Sequence, residues 1–298
     1  MIAAPFVNPA ATPVVTARPT PGRVAVQVVD GASSVITAEA SNPLKFLVST
    51  PRGRCAWVYS TTYGGGLVAG DQVVMDIEVG VGASLYLGTQ ASTKVYRSEG
   101  AVAQQTVTVR VAAGALLVAL PDPVSPFAES RFHQRQIIDC APTADLVWLD
   151  GVTCGRAARD ERWAFSSYLS SLEVRVDGRR IVRDAVRLTD GLRPVRERLP
   201  EVGALATLVI GGPGMTALCA KVLALVAAQP LEAQPRLSAS PLGASLRATG
   251  SQGTGSQGTW GVMLRAATVE RETLERTVRE LLSDLCPRLG DDPWQRRP

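Results

Sequence analysis

One histidine and five cysteines are available for nucleophilic or metal chemistry in this chain. His133 is the single histidine, and a hydrolase would need it beside a serine or cysteine and a carboxylate. The chain contains no GxSxG motif. The cysteines are odd in number, widely spaced and never arranged as CxxC: they are Cys55, Cys140, Cys154, Cys219 and Cys286. This pattern argues against a zinc module and against a disulfide framework, and it is typical of a reducing compartment.

Two glycine-rich segments resemble the loops that hold anions in other proteins. The segment 63–66, Tyr-Gly-Gly-Gly, precedes a strand and lacks the GK[ST] and GxGxxG patterns, so it predicts a tight turn. The segment 211–214, Gly-Gly-Pro-Gly, does precede a helix, whose N-terminus attracts anions. Its proline removes one backbone donor, however, and no basic side chain follows nearby. Both segments therefore predict turns and not phosphate sites.

Several carboxylates offer weak oxygen ligands to a divalent ion. They are Asp71, Asp76, Glu78, Asp122 and Glu161. Because the chain has one histidine and scattered cysteines, neighbouring residues cannot build a dense shell of nitrogen and sulfur ligands. The sequence predicts no tight metal site and leaves weak capture by these carboxylates open.

Residues 173–198 are rich in arginine. They hold eight arginines and five acids, and such interleaved signs are typical of a solvated face with weak ion pairs. A docking surface is the alternative interpretation. No aromatic residues are interleaved for base stacking, so the segment does not favour RNA binding.

The elements that must position these residues are mostly short strands. Residues 75–79 alternate apolar and polar side chains, as does 106–111, and this is the period of a half-buried strand. Asp177-Gly178 predicts a hairpin. Convincing helices occur only in the strand-to-helix unit 204–228 and near the C-terminus. The fold class is therefore mainly β, with layered or β-helix-like sheets and two principal α-helices, and without regular βαβ alternation.

The chain is expected to form one β-rich domain over residues 23–298. Residues 1–22 are rich in proline, alanine and threonine and predict a flexible tail. Residues 232–259 contain a near repeat of Ser-Gln-Gly-Thr and predict a flexible loop. A C-terminal amphipathic helix is predicted near 269–286, because Pro287 ends the apolar stripe.

Charge and hydropathy restrict the class of protein. The formal net charge of +4 is modest and does not demand a nucleic acid or an anionic membrane. Residues 202–220 lack charge over a length that could span a bilayer, but the glycines of 211–214 divide them into a strand and a helix. The N-terminus lacks the features of a signal peptide. We therefore expect a soluble, cytoplasmic protein without nucleic-acid or membrane partners.

A set of motifs in fixed order resembles the signature of the UreD (UreH) family of urease accessory proteins. The motifs are YGGGLVAGD at 63–71, GTQASTKVYR at 88–97, LPDPVSPF at 120–127, and the pair GR and ERWAF at 155–156 and 161–165. The likeness covers roughly residues 20–230. The chain departs from the pattern at Asp160, where the family has glycine, and in the longer loop 249–259.

The resemblance implies a protein that is not an enzyme and that helps to assemble the nickel centre of urease. Its implied partners are apo-urease, a helical UreF-type adaptor and a UreG-type GTPase. Nickel would pass in transit through an internal water-filled passage, with no catalytic residue and no tightly bound cofactor. The residues expected to border the passage or a partner surface are Asp71, Asp122 and Glu161 for the metal, together with Gln90, Thr93, Lys94 and Tyr96.

Two other functions stay open. One is a free-standing nickel carrier, and the other is a hydrolase that uses serine or cysteine with His133. Gln90 and Thr93 also have a purely structural interpretation, in which they bond backbone groups where strands end. A scaffold would keep its partners after loss of His133, whereas an enzyme would lose turnover.

Overall fold

The computed structural model describes residues 20–50, 53–230, 233–243 and 259–295. The strands in these residues are β1 (Gly22–Val29), β2 (Ala32–Glu39), β3 (Leu44–Ser49), β4 (Ala56–Thr62), β5 (Gln72–Val79), β6 (Ser84–Thr89), β7 (Lys94–Val95), β8 (Ala103–Val111), β9 (Leu116–Leu120), β10 (Ser125–Pro126), β11 (Arg131–Cys140), β12 (Asp145–Thr153), β13 (Ser167–Val176), β14 (Arg179–Thr189), β15 (Ala204–Gly211), β16 (Arg236–Leu242) and β17 (Gly261–Thr268). The helices are α1 (Val195–Arg198), α2 (Thr216–Ala228), α3 (Arg271–Leu282) and α4 (Cys286–Leu289), with short 3-10 turns at Tyr63–Gly65, Ala157–Arg159, Pro213–Met215 and Ser283–Leu285. The expected mainly β class with two principal helices is confirmed.

Two large sheets form the body of the protein. Sheet A has the strand order β14-β13-β11-β8-β5-β1-β2, and sheet B has the order β16-β17-β15-β12-β9-β6-β4-β3. A small parallel pair joins β7 and β10. The main apolar core lies between sheets A and B, and a second core lies between sheet B and the helices. The layers therefore follow the order sheet A, sheet B, helices.

A repeating path connects the two sheets between β4 and β13. The chain alternates between sheet B and sheet A, and successive strands within each sheet are parallel. Each coil thus adds one strand to each sheet. This arrangement is a short solenoid, as the β-helix-like expectation implied.

The turns that lead from sheet A to sheet B repeat along the solenoid. They occupy residues 80–83, 112–115 and 141–144, and in each the last backbone N–H donates to the first carbonyl at 3.0–3.1 Å. Gly82 and Gly114 hold the same position and share a φ of +67°, which favours glycine. The turns also stack, because Leu116 N donates to Ala83 O at 2.9 Å.

The connections that lead from sheet B back to sheet A are long and carry the sequence motifs. They run over residues 63–71, 90–102, 121–130 and 154–166. Backbone hydrogen bonds join each loop to the next: from Leu67 to Lys94, from Ser125 to Thr93, and from Glu129 to Ala164. Because the coils are in register, the four loops lie side by side at one end of the stacked strands, along one flank of the solenoid. This end is called the motif end below.

Side-chain alternation follows the predicted pattern in both cores. Met75, Ile77 and Val79 of β5 are buried between the sheets, while Asp76 and Glu78 face outward. The apolar stripe of α3 is buried against sheet B, as predicted; it consists of Leu274, Val278, Leu281 and Leu282. Among the described residues, no helix has both the length and the apolar character needed to cross a membrane.

Local turn chemistry also agrees with the sequence. Asp30-Gly31 and Asp177-Gly178 each join two antiparallel strands, and all four residues have positive φ, between 51° and 77°. Positive φ at both central residues defines the type I′ hairpin that Asp-Gly favours. The uncharged stretch 202–220 forms strand β15 and the first part of helix α2, as predicted.

One part of the flexible-loop prediction is wrong. Strand β16 lies inside the predicted loop 232–259 and pairs antiparallel with β17. Its sequence, RLSASPL, alternates only weakly and contains Pro241, which is tolerated because β16 is the edge strand of sheet B. Pairing with β17 supplies the order that the local sequence does not signal. The rest of the predicted loop, 244–258, and residues 1–19 of the predicted tail lie outside the described residues.

A buried carboxylate ties the C-terminal helices to the solenoid. Asp145 Oδ1 accepts a hydrogen bond from Gly214 N at 2.8 Å, at the start of the α2 segment. Arg288 of α4 donates to Asp145 Oδ2 at 2.7 Å and also donates to the carbonyl of Gly214 at 3.2 Å. The Gly-Gly-Pro-Gly turn thus receives a carboxylate from the protein itself and does not offer its donors to an external anion.

Replacing Asp145 by alanine should lower the free energy of unfolding by about 1–3 kcal/mol, because it leaves Gly214 N and Arg288 without their shared acceptor. Chemical denaturation of the full chain measures this loss. Asp284→Ala is the matched control, since Asp284 pairs with Lys221 at the exposed surface and should cost less than about 1 kcal/mol. Equal losses from the two variants would contradict the assigned role of Asp145.

Candidate functional site

A carboxylate lies in a polar space between the two sheets. Asp150 of β12 accepts hydrogen bonds from Gln134 Nε2 at 2.5 Å and from Ser170 Oγ at 2.6 Å. Gln136 Nε2 donates to Ser170 Oγ at 3.3 Å. Trp148 Nε1 completes the network by donating to Gln136 Oε1 at 2.7 Å. One continuous hydrogen-bond network therefore joins strands of both sheets.

Strand alternation places this network in the interior. Arg131, His133 and Arg135 share one side of β11 and are exposed or half-buried. The intervening Gln134 and Gln136 therefore point inward, where they are buried. Sequence reasoning did not identify the network, although two glutamines at inward positions of a strand were the available signal.

The environment of Asp150 favours its neutral form. Burial raises the pKa of the Asp150 carboxyl above its ordinary value of 3.8, and the nearby carboxylate of Asp184 raises it further. The hydrogen bonds from Ser170, Gln136 and Gln134 act in the opposite direction and lower the pKa. The carboxyl is thus held among donors in a place where a negative charge alone is unfavourable.

The space around Asp150 continues to the motif end. A cavity of about 60 Å³ is bordered by Asp150, Gln136 and Trp148, and also by Thr93 and Asp122 of the motif loops. A second cavity of about 40 Å³ shares Thr93 with the first and reaches Gly65. These two cavities are referred to as the interior route. Their lining residues extend from the loops of the motif end to the carboxyl group of Asp150.

A larger pocket adjoins the interior route on the other side of Asp150. Its volume is about 300 Å³, and its walls are mostly apolar. Arg265 of β17 borders this pocket and forms an ion pair with Asp184 of β14 at 2.6 Å. Thr207 Oγ1 also donates to Asp184, at 3.0 Å. The charge of Arg265 at this pocket is therefore compensated by Asp184, and that of Arg236 by Glu201 at 3.8 Å.

Two of the predicted site residues border the interior route. Thr93 lines both cavities, and Asp122 lines the one that contains Asp150. Asp122 Oδ2 accepts a hydrogen bond from Thr89 Oγ1 at 3.0 Å, and Thr89 Oγ1 accepts one from Asp122 N at 2.8 Å. Asp122 is therefore positioned by the end of β6 as well as by its own loop.

The other predicted carboxylates have local partners in the motif loops. Asp71 Oδ2 accepts a hydrogen bond from Val68 N at 2.8 Å and closes a turn. Glu161 pairs with Arg156 and accepts from Ala128 N, and the Arg156 hydrogen bond is the main cause of its lowered pKa. Among the residues the structure describes, no three His, Cys, Asp or Glu side chains gather as a metal cluster.

The remaining predicted residues lie on the loops of the motif end. Gln90 and Lys94 are exposed, and the backbone N–H of Gln90 donates to Ser60 O at 3.0 Å. Tyr96 packs edge-on against Phe127, with ring centroids 5.4 Å apart. The guanidinium carbon of Arg156 lies 4.2 Å from the centroid of the Phe127 ring. These contacts hold the motif loops together. That Gln90, Lys94 and Tyr96 face a partner stays a prediction.

Asp160, which departs from the family pattern, adopts a backbone conformation that glycine favours. Its φ is 60° and its ψ is 23°, in the left-handed region. Aspartate is one of the residues that tolerates this region. Glu161, the next residue, pairs with Arg156.

The described residues show the surroundings of His133 and of three cysteines, the groups that a hydrolase would use. His133 lies opposite Leu169 and Gln104 on the neighbouring strands, so neither a serine nor a cysteine is its direct cross-strand partner. Burial raises the pKa of the Cys55 and Cys140 thiols to about 12 and that of Cys219 to about 11. Such thiols are poor nucleophiles at neutral pH.

Comparisons with known proteins match most of the chain. The family described as UreD urease accessory protein matches residues 21–297. The chain is 44% identical to the urease accessory protein UreD of Anaeromyxobacter sp. (strain Fw109-5) over 93% of this chain and 89% of the relative. It is 38% identical to that of Sorangium cellulosum (strain So ce56), over 93% and 83%. It is 31% identical to urease accessory protein D of Arabidopsis thaliana, over 92% and 99%.

Replacing Asp150 by asparagine should change how stability depends on pH. The pKa of Asp150 in the folded protein lies above its ordinary value of 3.8, so the folded state binds this proton more tightly than the unfolded state does. The wild type therefore loses stability as the pH rises from the unfolded pKa of Asp150 to its folded pKa. The asparagine variant lacks this loss, so its melting temperature relative to wild type should rise with pH. Thermal scans from acid to mildly alkaline pH measure the trend.

Asp76→Asn is the matched control, because Asp76 lies on the outward face of β5. It should not show the same rise. A variant at Asp150 that loses stability relative to wild type as pH increases would instead indicate a charged, stabilising carboxylate.

Proposed function

Because the chain belongs to the UreD family of urease accessory proteins, we propose that it is a scaffold that passes nickel toward the active site of urease. In this proposal it binds apo-urease, a UreF-type adaptor and a UreG-type GTPase in the cytoplasm. Nickel is cargo and not a resident cofactor. The accessory-protein names of its relatives favour a role without catalysis.

The interior route is the observation that carries this proposal. It leads from the motif end, past Thr93 and Asp122, to the network around Asp150. Its polar groups are aspartate, glutamine, serine and threonine oxygens, which bind nickel more weakly than imidazole or thiolate ligands do. Weak oxygen ligands suit an ion that must leave again.

In this proposal the carboxyl group of Asp150 compensates part of the positive charge of the nickel ion. Where the Asp150 carboxyl holds a proton, arrival of the divalent ion releases that proton to water, and the carboxylate then faces the ion. Gln134 and Gln136 can turn amide oxygens toward the ion in place of their N–H groups. The network thus provides oxygen ligands without keeping a bare negative charge between the sheets.

In this proposal nickel enters at the motif end. Asp122 offers a carboxylate there that borders the interior route, and an anionic group attracts a cation. The pocket beyond Asp150 is bordered by Arg236 and Arg265, whose charges are paired with Glu201 and Asp184. The loops of the motif end also offer Gln90, Lys94 and Tyr96 to a partner.

A free-standing nickel carrier is the second candidate, and the described residues give it less support. Equilibrium dialysis of the isolated full chain with nickel should show only weak binding, since no cluster of three strong ligands is present among those residues. Sub-micromolar binding of one nickel ion per chain, retained in Asp150→Asn, would favour the carrier and contradict a passage.

Asp150→Asn should lower the nickel content and activity of urease matured with the variant by roughly tenfold or more. The reason is that asparagine cannot become anionic when nickel arrives. Maturation in cells that co-express the urease subunits and the accessory proteins, followed by metal analysis of purified urease, measures the effect. Asp122→Asn should show a smaller loss, because Asp122 lies nearer to bulk water.

Asp71→Asn serves as the comparison variant, because Asp71 closes a loop turn and does not border the interior route. Co-purification of each variant with the adaptor and the GTPase separates transfer from assembly. If Asp150→Asn matures urease as well as wild type does, the interior route is not the path of nickel. If it fails only because the complex does not form, Asp150 has a structural role instead.

A further inference from the structure

The outward face of sheet A carries an uneven distribution of charge. On the three strands β11, β13 and β14, six arginines point away from the core: Arg131, Arg135, Arg175, Arg180, Arg183 and Arg187. Only two carboxylates, Asp139 and Glu173, share that face. These six arginines are called the arginine face below. The excess of six cations over two anions equals the formal net charge of the whole chain, +4.

The rest of the same sheet shows that this imbalance is local. On β8, β5 and β1 the outward positions carry Arg110 and Arg23 together with Asp76 and Glu78. These charges balance within neighbouring strands, since Arg23 lies opposite Asp76 and Arg110 lies opposite Glu78. Glu39 of the edge strand β2 also lies opposite Arg23. This half of the sheet therefore has no excess of positive charge, and the other half is basic.

Internal ion pairs neutralise little of the arginine face. Arg175 pairs with Glu173 at 2.7 Å and with Asp139 at 3.6 Å, so one arginine uses both carboxylates. Within the described part of the chain the other five arginines form no ion pair. The arginine face thus retains positive charge that is available to an external anion.

Register adds an energetic cost to this arrangement. Arg175 of β13 lies directly opposite Arg180 of β14, and like charges at opposed positions destabilise a sheet. Arg183 and Arg187 follow on the same face of the edge strand β14 and are exposed. Arg183 lies opposite Glu173, which is favourable, so the repulsion is confined to Arg175 and Arg180. A smaller polar residue in place of Arg180 would avoid it.

We propose that the arginine face docks a carboxylate-rich surface of apo-urease. This inference rests on the proposed scaffold function and adds the surface and chemistry of the contact. Arginine suits such a contact because its planar guanidinium forms paired hydrogen bonds with a carboxylate. The face is a flat, hydrogen-bonded sheet, which favours a folded partner surface over a flexible segment.

Other anionic partners fit the arginine face less well. The outward positions of β11, β13 and β14 contain no Phe, Tyr or Trp on which bases could stack. None of the large apolar side chains that are exposed lies on these positions, so nothing would insert into a lipid surface. The chemistry that remains is ion pairing with acidic side chains of a protein.

The test is binding of the full chain to purified nickel-free urease, with Arg183→Glu/Arg187→Glu as the variant. Reversal of two exposed charges should weaken binding by roughly tenfold or more, since it places like charges across the contact. Raising the salt concentration from about 50 mM to about 500 mM should weaken the wild type more than the variant. Melting temperatures confirm that both proteins are folded.

Arg23→Glu/Arg110→Glu is the control, because it reverses the same number of charges on β1 and β8, outside the arginine face. It should bind urease as the wild type does. If wild type binds and the Arg183/Arg187 variant binds equally well, the arginine face is not the contact, and the scaffold function stands. If wild type does not bind nickel-free urease, both proposals fail. Tighter, face-dependent binding to single-stranded RNA or to anionic vesicles would also overturn the inference.

Discussion

The interior of this protein depends on how it holds one carboxyl group, that of Asp150, away from bulk water between its two sheets. An isolated buried carboxylate is unfavourable by several kcal/mol or more. Here the cost is offset by donors from β11 and β13 and by a raised pKa that favours the neutral acid. The donors are polar residues at positions that the pattern of the strands would otherwise give to apolar side chains. The sheets consequently enclose a polar space beside their apolar core.

The solenoid makes this interior accessible from one end. Parallel strands in register keep the tight turns together at one edge and bring the long loops together at the other. Thr93 and Asp122 come from two of these loops and border the same cavity as Asp150. The repeating coils therefore bring three separate stretches of sequence together around one cavity. Sheet B and its helices provide the rigid wall against which this site is held.

Much of the architecture could be predicted from local pattern. The alternation at 75–79, the Asp-Gly hairpins and the stripe of α3 each depend on neighbours in sequence, and each is present in the structure. The solenoid itself was harder to recognise. Its turns, GVGA at 80–83, AAGA at 112–115 and APTA at 141–144, share only small residues, and nothing larger marks the repeat. Strand β16 was missed because its order comes from pairing with β17.

The site was predicted only where a motif marked it. Thr93 and Asp122 belong to loops with recognisable motifs, whereas Asp150, Gln134 and Gln136 lie on strands whose sequence shows nothing unusual apart from polarity. Their meeting depends on which strands face each other across the sheets, and this is a property of the folded chain. The same holds for the arginine face, since the opposition of Arg175 and Arg180 follows from strand register.

Nickel-edge anomalous diffraction from crystals of the assembled complex soaked in nickel tests the central claim most directly. The account predicts anomalous density inside the interior route, next to the carboxyl group of Asp150, and its loss in crystals of the Asp150→Asn protein. Nickel density that is confined to the outer surface, with the route free of metal at every soaking concentration, would contradict it.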